Sequence, residues 1–214
     1  MIKAVLFDLD GTLADTAPDL TYALNTLRGA RGMAPLSLDA TRPVASHGAR
    51  GLIGVGFGAA PGDPGYDALR DRFLTLYEAN LCRSTTLFPG MPEVLAALEK
   101  RRMPWGVVTN KLERFTHPLL DALRLSARAA CVVGGDTTLY SKPHPAPLLA
   151  AARMIGIPPE ACVYVGDDRR DVEAGHAAGM RVAVAGWGYL NGNDAETWAA
   201  DWMLSHPQEL LGII

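Results

Sequence analysis

The sequence predicts an α/β fold in which a parallel sheet carries helices on both faces and a helical insertion follows the first strand. Three observations point to this fold. Residues 2–8 form an apolar run without alternation, which is typical of a strand buried on both faces. Between 15 and 86 the apolar residues recur at helical spacing. Beyond that stretch, short apolar runs alternate with helical patterns, as they do when helices connect the strands of a parallel sheet.

The second half of the chain is expected to build most of the sheet. A helix with apolar positions Val94, Leu95 and Leu98 comes first, and strands and helices alternate after it. The expected strands are 105–109, 130–133, 162–165 and 181–185, and the expected helices are 113–123, 146–155 and 172–178. Residues 201–211 add an edge strand and a closing helix. This order of elements is Rossmann-like, and such sheets bind ligands outside the carboxyl ends of their strands.

The stretch 15–86 is interpreted as a helical domain inserted into a core made of 1–14 and 87–214. Its apolar stripes are Leu20, Leu24 and Leu27 on one helix and Leu69, Phe73, Leu76 and Tyr77 on another. A Gly-rich tract at 46–58 and a Pro- and Gly-rich breaker at 61–65 lie between the helices. No strand is expected between Ala14 and Thr86.

Composition favours a protein that acts on small molecules. With 49% hydrophobic residues, 20% charged residues and a net charge of −3, the chain has no charge excess suited to nucleic acid or a membrane surface. Cys82, Cys131 and Cys162 lack the spacing of a zinc site or a disulfide framework, which favours free thiols in a reducing compartment. The first apolar run is too short for a signal peptide and no segment has membrane-spanning length, so we expect a cytoplasmic protein. The sequence leaves the oligomeric state open.

Asp8 and Asp10 end the first apolar run, in Ala-Val-Leu-Phe-Asp-Leu-Asp-Gly-Thr at 4–12. Two like charges beside an apolar core repel each other and lose hydration, so either one carboxyl is protonated or a cation lies between them. The strand period puts both side chains on one side, and Gly11 allows a sharp turn. Oxygen ligands in this arrangement suit a hard cation, Mg²⁺ above all. The alternative is that one aspartate only caps the next helix.

Further polar groups follow the later strands or stand in loops before helices. They are Thr109, Asn110, Lys142, Asp167, Asp168 and Asp171. Because the carboxyl ends of parallel strands meet at one edge, we expect them near Asp8. Each group has a structural alternative: bonds to loop backbone for the first two, solvation for the lysine, and a favourable helix dipole for the acids.

These groups, in this order, resemble the four motifs of the haloacid dehalogenase (HAD) superfamily. Asp-x-Asp-x-Thr matches 8–12, a Thr or Ser matches Thr109, a Lys matches Lys142, and Gly-Asp-x-x-x-Asp matches 166–171. The resemblance spans the core, and the insertion at 15–86 stands where the superfamily has its helical C1 caps. It implies an enzyme whose core handles phosphate and whose cap excludes water and selects the substrate.

The resemblance also implies roles for the core residues. Asp8 would attack phosphorus and form an aspartyl-phosphate, while Asp10 would protonate the leaving alcohol and then activate water. Thr109 and Lys142 would stabilise the phosphoryl charge. The metal ligands would be Asp8, Asp10 through its backbone carbonyl, and Asp167. Asp171 would order Lys142 or a metal-bound water, and Asp168 would point elsewhere. The second aspartate of the first motif favours phosphate chemistry over dehalogenation.

Substrate-binding candidates lie mainly in the insertion. Gly48 would let backbone N–H groups approach a ligand, and Arg50 would pair with a carboxylate, with His47 beside them. The alternative for Arg50 is a surface position on a helix. In the core, Asn110 is the substrate-binding candidate.

Within the superfamily the chain resembles the phosphoglycolate phosphatase-like branch, and within it the N-acetylmuramic acid 6-phosphate phosphatases of peptidoglycan recycling. The segments that suggest this are 48–50, 105–111, 166–171, 187–189 and 206–210. The resemblance implies hydrolysis of a small phosphorylated carboxylic or sugar acid, with N-acetylmuramic acid 6-phosphate preferred and 2-phosphoglycolate as the alternative. A sugar-phosphate mutase shares the four motifs and stays open. A non-enzymatic phosphate-binding protein conflicts with the intact motif set.

Overall fold

A six-stranded parallel sheet forms the centre of the computed structural model, which describes residues 1–190 and 194–214. In chain order the strands are β1 (Ala4–Phe7), β2 (Ala14–Asp15), β3 (Thr86–Leu87), β4 (Trp105–Val108), β5 (Val132–Val133), β6 (Cys162–Gly166), β7 (Arg181–Ala185) and β8 (Trp202–Leu204). The sheet has the order β5-β4-β1-β6-β7-β8, while β2 and β3 form a separate antiparallel pair. The strand that carries Asp8 and Asp10 at its end therefore lies in the middle of the sheet, between β4 and β6.

The helices connect the strands and build the insertion. In chain order they are α1 (Ala17–Gly29), α2 (Leu38–Thr41), α3 (Gly48–Phe57), α4 (Tyr66–Glu78), α5 (Met91–Lys100), α6 (Glu113–Ala122), α7 (Ala146–Ile155) and α8 (Arg169–Ala177). Short 3₁₀ helices lie at Arg42–His47, Pro159–Ala161, Ala195–Trp198 and Pro207–Gly212. Helices α1 to α4 fall between β2 and β3, and the others cover the sheet.

Each face of the sheet buries its own set of side chains because successive residues of a strand point to opposite faces. On one face, Phe7 and Val107 belong to a buried cluster with Leu95 of α5. On the other face, Leu6 and Tyr164 belong to a cluster with residues of α7 and α8. The predicted α/β fold with helices on both faces is confirmed.

The helical stretch has a core of its own. The predicted stripe of α1 is buried, and in α4 Phe73 and Tyr77 are buried while Leu69 and Leu76 are half-buried. The chain enters this stretch through β2 and returns through β3, so the proposed boundary between core and cap runs through that pair.

The expectation of no strand between Ala14 and Thr86 is wrong at both ends of the stretch. Ala14 pairs with Leu87, and Asp15 pairs with Thr86. Strands of two residues are too short to show a period of two, so no sequence pattern marks them. Their pairing depends instead on two segments about 70 residues apart along the chain being brought together by the fold.

The Gly-rich tract forms a helix for most of its length. Glycine lowers helix propensity, but packing outweighs this in α3, where Leu52 and Ile53 are fully buried. Gly56 lies against α1, and a Cβ there would come within 2.6 Å of Leu24 Cδ1. The glycine therefore allows close helix packing in a tract that the sequence analysis placed between helices.

The C-terminal segment closes the sheet as expected, with one difference. The edge strand is present as β8, and Ala183 pairs with Trp202. The closing helix is a 3₁₀ helix at Pro207–Gly212, and its Leu210 is buried against the core. Among the described residues, no helix combines the length and the apolar character needed to cross a membrane.

Candidate active site

Three strand ends meet at one edge of the sheet and bring the expected polar residues together. Asp8 follows the last residue of β1, Thr109 follows β4, and Asp167 follows β6. A cavity of about 360 Å³ opens between this edge and the helical stretch. Its core wall contains Asp8, Asp10, Thr109, Asn110, Lys111, Lys142 and Asp171. Asp167 lies beneath the cavity and is fully buried.

The acidic cluster lies at the base of the cavity. Asp8, Asp167 and Asp171 each offer a carboxylate oxygen, and these oxygens lie within 4.8 Å of one another. Asp8 Oδ1 accepts a hydrogen bond from the N–H of Leu9 at 2.7 Å. Burial raises the pKa of Asp8 to about 6, although the charge of Lys142 opposes this. Burial and the charge of Asp8 raise the pKa of Asp167 well above its usual range. Without a cation, the cluster therefore resists full ionisation.

Glycines make room for Asp167. Gly11 has φ +82, in the left-handed region, and a Cβ on it would come within 2.1 Å of Asp167 Oδ2. A Cβ on Gly188 would lie 2.4 Å from the Cβ of Asp167. The carboxylate is then held from two sides, by the Thr12 hydroxyl at 2.9 Å and the Tyr189 N–H at 2.8 Å. The predicted turn at Gly11 thus also allows the close approach of a carboxylate.

Lys142 is the buried cation of the core wall. Its ammonium group donates to Asp171 Oδ1 at 2.7 Å and to the Tyr164 hydroxyl at 2.6 Å, and lies 3.1 Å from Asp8 Oδ1. Burial lowers the pKa of Lys142, but the charges of Asp171 and Asp8 outweigh burial and hold it above its ordinary value. The lysine is therefore charged and fixed beside Asp8.

Asn110 holds the Lys142 loop in place. Its amide nitrogen donates to the Lys142 carbonyl, and its amide oxygen accepts from the Lys142 N–H, both at 2.9 Å. The neighbouring Thr109 hydroxyl accepts from the Lys111 N–H at 3.2 Å. Both polar atoms of Asn110 are thus used to position a lysine, although the residue also lines the cavity.

Asp10 lies on the core wall beside a second buried lysine. Its Oδ1 accepts from the Thr16 hydroxyl at 2.5 Å and lies 3.0 Å from Lys111 Nζ. The Lys111 side chain is only 7% exposed. The sequence interpretation did not assign Lys111 to the site, because a lysine that follows a polar strand end carries no signal of burial.

Four of the carboxylates at the cavity lie close to two ammonium groups. They are Asp8, Asp10, Asp167, Asp171, Lys111 and Lys142. Carboxylates outnumber ammonium groups in this set, and an all-oxygen donor set suits a hard cation such as Mg²⁺. The residues present therefore fit the expected metal.

Asp168 and Asp171 form the start of α8. The Asp168 side chain accepts from the Arg170 N–H and Asp171 Oδ2 accepts from the Asp168 N–H, a reciprocal capping box. Burial alone would raise the pKa of Asp168, but hydrogen bonds from His47 and Arg170 and the charge of Arg170 hold it well below its usual range. Both oxygens of Asp171 are used, one by the helix cap and one by Lys142, which fits a positioning role better than direct metal binding.

The insertion meets the core at this helix start. His47 Nε2 lies 3.5 Å from Asp168 Oδ2, and Arg170 donates to the Ser46 carbonyl at 3.0 Å. The Ser46 hydroxyl donates to Asp167 Oδ2 at 3.0 Å, so it covers the acidic cluster. Two of the three expected binding residues of the insertion, His47 and Gly48, line the cavity.

Arg50 lies elsewhere. It is exposed on α3 and lines an adjoining groove with residues such as Gly54 and Pro61. Of the two alternatives that the sequence left open for Arg50, the structure shows the surface position on a helix.

Two tyrosines at the site were missed from sequence. Tyr189 donates its hydroxyl to Asp15 at 2.6 Å and accepts there from the Ala17 N–H, so it joins the base of α1 to the core. Tyr77 of α4 lines the cavity, and Lys111 Nζ lies over its ring, 4.8 Å from the centroid. Tyr77 belongs to an apolar stripe, which by itself indicates only a helix core.

Comparisons with known proteins agree with this geometry. The sequence model of the haloacid dehalogenase-like hydrolases matches residues 5–185. An N-acetylmuramic acid 6-phosphate phosphatase of Pseudomonas aeruginosa is 40% identical over 214 residues, covering 100% of this chain and 95% of that protein. A phosphoglycolate phosphatase of Xanthomonas campestris is 44% identical over 209 residues, covering 97% and 94%. The crystal structure of a predicted phosphoglycolate phosphatase from Haemophilus somnus superposes with a TM-score of 0.87 at 27% identity, covering 99% of this chain and 97% of that one.

Proposed function

The chain belongs to the haloacid dehalogenase-like hydrolase family and is a phosphatase, and we propose that it hydrolyses N-acetylmuramic acid 6-phosphate through an aspartyl-phosphate formed on Asp8. The family predicted from the four motifs is confirmed by the match over 5–185 and by the related phosphatases. The nucleophile, the metal and the substrate are the proposed parts. The observation that carries them is the meeting of Asp8, Lys142 and Asp167 at one sheet edge beneath a cavity.

Asp8 is placed to act as the nucleophile. The Leu9 N–H and the Lys142 ammonium group both lie close to its Oδ1, which fixes the carboxylate and leaves the residue on the cavity wall. Lys142 would stabilise negative charge both on the attacking carboxylate and on the phosphoryl oxygens. Thr109, on the same wall, would donate its hydroxyl to a phosphoryl oxygen.

Asp10 is placed to act as the general acid and base. Its carboxyl is only partly buried and lies on the cavity wall, held by Thr16 and by Lys111. From there it would donate a proton to the leaving alcohol and later accept one from the water that hydrolyses the aspartyl-phosphate. Asp8 and Asp10 thus divide attack and proton transfer between them.

Mg²⁺ is the proposed cofactor. Asp8, Asp167 and the backbone carbonyl of Asp10 would hold it, with Asp171 acting through Lys142. When bound, the ion supplies positive charge to the phosphoryl group. The raised pKa values of Asp8 and Asp167 support this, because a bound cation would stabilise the charged form of carboxyls that burial keeps from ionising.

The size and lining of the cavity favour a sugar acid. Pockets for drug-sized ligands measure about 300–1,000 Å³, and the cavity of about 360 Å³ falls within that range. Apolar side chains such as Phe73 and Phe115 also line the cavity, where they would contact a sugar ring. A two-carbon acid has no such ring to place against them.

2-Phosphoglycolate is the second candidate substrate, because phosphatases named for it are as similar to the chain as those named for the sugar acid. We would compare kcat/KM for phosphate release from the two compounds with Mg²⁺ present. We expect the sugar acid to be preferred by at least ~10-fold, since its ring would contact the apolar side chains of the cavity. A preference for 2-phosphoglycolate would reassign the substrate, and no release from either would overturn both assignments.

A further inference from the structure

Lys111 is a buried cation to which the proposed mechanism gives only one task, that of holding Asp10. Its side chain is 7% exposed and lines the cavity, and its ammonium group contacts Asp10 Oδ1 at 3.0 Å. An ammonium group has three N–H donors. Burying such a group is costly unless its charge and donors are satisfied. Since Lys142 already serves Asp8 and the phosphoryl site, a second buried lysine beside Asp10 calls for a different ligand.

Tyr77 offers a second unused polar atom at the same place. Its side chain is 1% exposed, and within the described residues its hydroxyl has no hydrogen-bond partner. The residue lines the cavity, and Lys111 Nζ lies 4.8 Å from the centroid of its ring. A buried hydroxyl without a partner lowers stability by about 1–3 kcal/mol. A group retained at that cost is expected to bind something that enters the cavity.

We propose that Lys111 and Tyr77 together form the subsite that binds the carboxylate of the substrate. This inference rests on the proposed function, because it assumes that the leaving alcohol carries a carboxylate. A carboxylate has two oxygens, one for the ammonium group and one for the hydroxyl, and charge-assisted hydrogen bonds are the strong ones. The subsite lies beside Asp10, where the proposed mechanism places the leaving alcohol.

The two residues of the proposed subsite come from different parts of the fold. Lys111 follows the end of β4 in the core, whereas Tyr77 lies on α4 of the insertion. Both groups contact the ligand only when α4 covers the sheet edge, as it does here. A carboxylate would therefore favour the covered arrangement.

The direct test compares two sugar phosphates that differ in one group. N-Acetylmuramic acid 6-phosphate carries a lactyl carboxylate, and N-acetylglucosamine 6-phosphate has a hydroxyl in its place. We expect Lys111→Met to lower the ratio of their kcat/KM values by about 10–100-fold, as loss of a charge-assisted bond implies. Lys100→Met, which removes an exposed lysine of α5, is the matched control and should leave the ratio unchanged. An equal fall for both substrates would overturn the subsite, because it would show only a structural role.

Tyr77→Phe separates binding from stability. Removal of an unpartnered buried hydroxyl should raise the melting temperature by about 2–4 °C, while the same change should lower the kcat/KM ratio about 3–10-fold. Tyr140→Phe on the surface is the control. An unchanged ratio with a raised melting temperature would show that the hydroxyl takes no part in binding.

A second readout does not depend on the physiological substrate. D-Lactate and its uncharged amide would be compared as competitive inhibitors of aryl phosphate hydrolysis. We expect the acid to inhibit the wild type at least ~10-fold more tightly than the amide, and this preference to vanish in Lys111→Met. If the acid and the amide inhibit equally, the carboxylate subsite is wrong. If the acid is preferred although neither candidate substrate is hydrolysed, only the proposed substrate is wrong.

Discussion

The core wall and the helical wall of the cavity satisfy their polar atoms in different ways. On the core wall, Lys142 has four oxygen neighbours and Asn110 uses both ends of its amide. On the helical wall, Phe73 and other apolar side chains dominate, and the hydroxyl of Tyr77 has no hydrogen-bond partner among the described residues. The core wall is therefore preorganised before any ligand binds, whereas the helical wall leaves the Tyr77 hydroxyl unsatisfied.

This difference separates two tasks. Charge that develops on a phosphoryl group is best stabilised by dipoles and charges that need no rearrangement, which is what the core wall supplies. Selection among phosphate esters depends on the part of the substrate that varies, and that part would meet the helical wall. Substitutions in the two walls should therefore affect turnover and selectivity to different extents.

The largest effect is expected on the core wall, from Asp8→Asn. The amide keeps the shape of the side chain but is not a nucleophile, so phosphate release should fall by at least ~10⁴-fold. Release from each candidate substrate should fall alike, because every phosphate ester would use the same nucleophile.

The control for Asp8→Asn is its melting temperature, which shows whether the variant is folded. Asparagine removes one charge from a crowded acidic cluster, so the melting temperature in EDTA at pH 7.5 should not drop. Turnover within ~10-fold of the wild type, with an intact fold, would remove Asp8 as the nucleophile.

A smaller effect is expected on protein stability, which should depend on Mg²⁺ and on pH through the carboxylates of the core wall. Burial raises the pKa of Asp8 to about 6, and the pKa of Asp167 also lies well above its usual range. For carboxyls whose pKa is higher in the folded than in the unfolded state, the stabilisation is complete at pH values below the unfolded pKa. It is lost as pH rises through the folded pKa. The metal-free protein should therefore lose stability between about pH 4 and pH 7.

Mg²⁺ should reverse that loss, since it replaces the protons in the cluster. Saturating Mg²⁺ is expected to raise the melting temperature by about 5–10 °C at pH 7.5, and by less than half as much at pH 5, where protons compete for the same oxygens. Differential scanning fluorimetry with Mg²⁺ or EDTA would measure both shifts. Equal shifts at the two pH values would show that the ion does not bind at the buried carboxylates.

The two walls also differ in how far the sequence predicted them. Asp8, Thr109 and Asp167 each follow an apolar strand, and in a parallel sheet the ends of such strands lie at one edge, so their meeting followed from the pattern. Lys142 was predicted from its match to the lysine motif of the superfamily. The partners that hold these residues, such as Tyr189, come from distant segments and leave no local pattern.

The helical wall was predicted less well for physical reasons. The glycines of 46–58 placed this tract between helices, but residues 48–57 pack against α1 as a helix and Arg50 is exposed on it. Tyr77 fits an apolar stripe, and a stripe does not reveal that one of its residues lines a cavity. Lys111 was not assigned to the site, because burial of a charge depends on which carboxylate the fold brings beside it.

The smallest effect should come from Arg50→Ala on the far side of α3. Arg50 is exposed and lines the adjoining groove rather than the cavity, so its removal should change kcat/KM for N-acetylmuramic acid 6-phosphate by less than about 3-fold. Lys111→Met, assayed in parallel, gives the contrast between a charge outside the cavity and one inside it. A rise in KM of ~10-fold or more for Arg50→Ala, confined to carboxylate substrates, would mean that Arg50 turns into the cavity when substrate binds. In that case α3 would add a second charge to the helical wall, beside Arg70, which lines the cavity from α4.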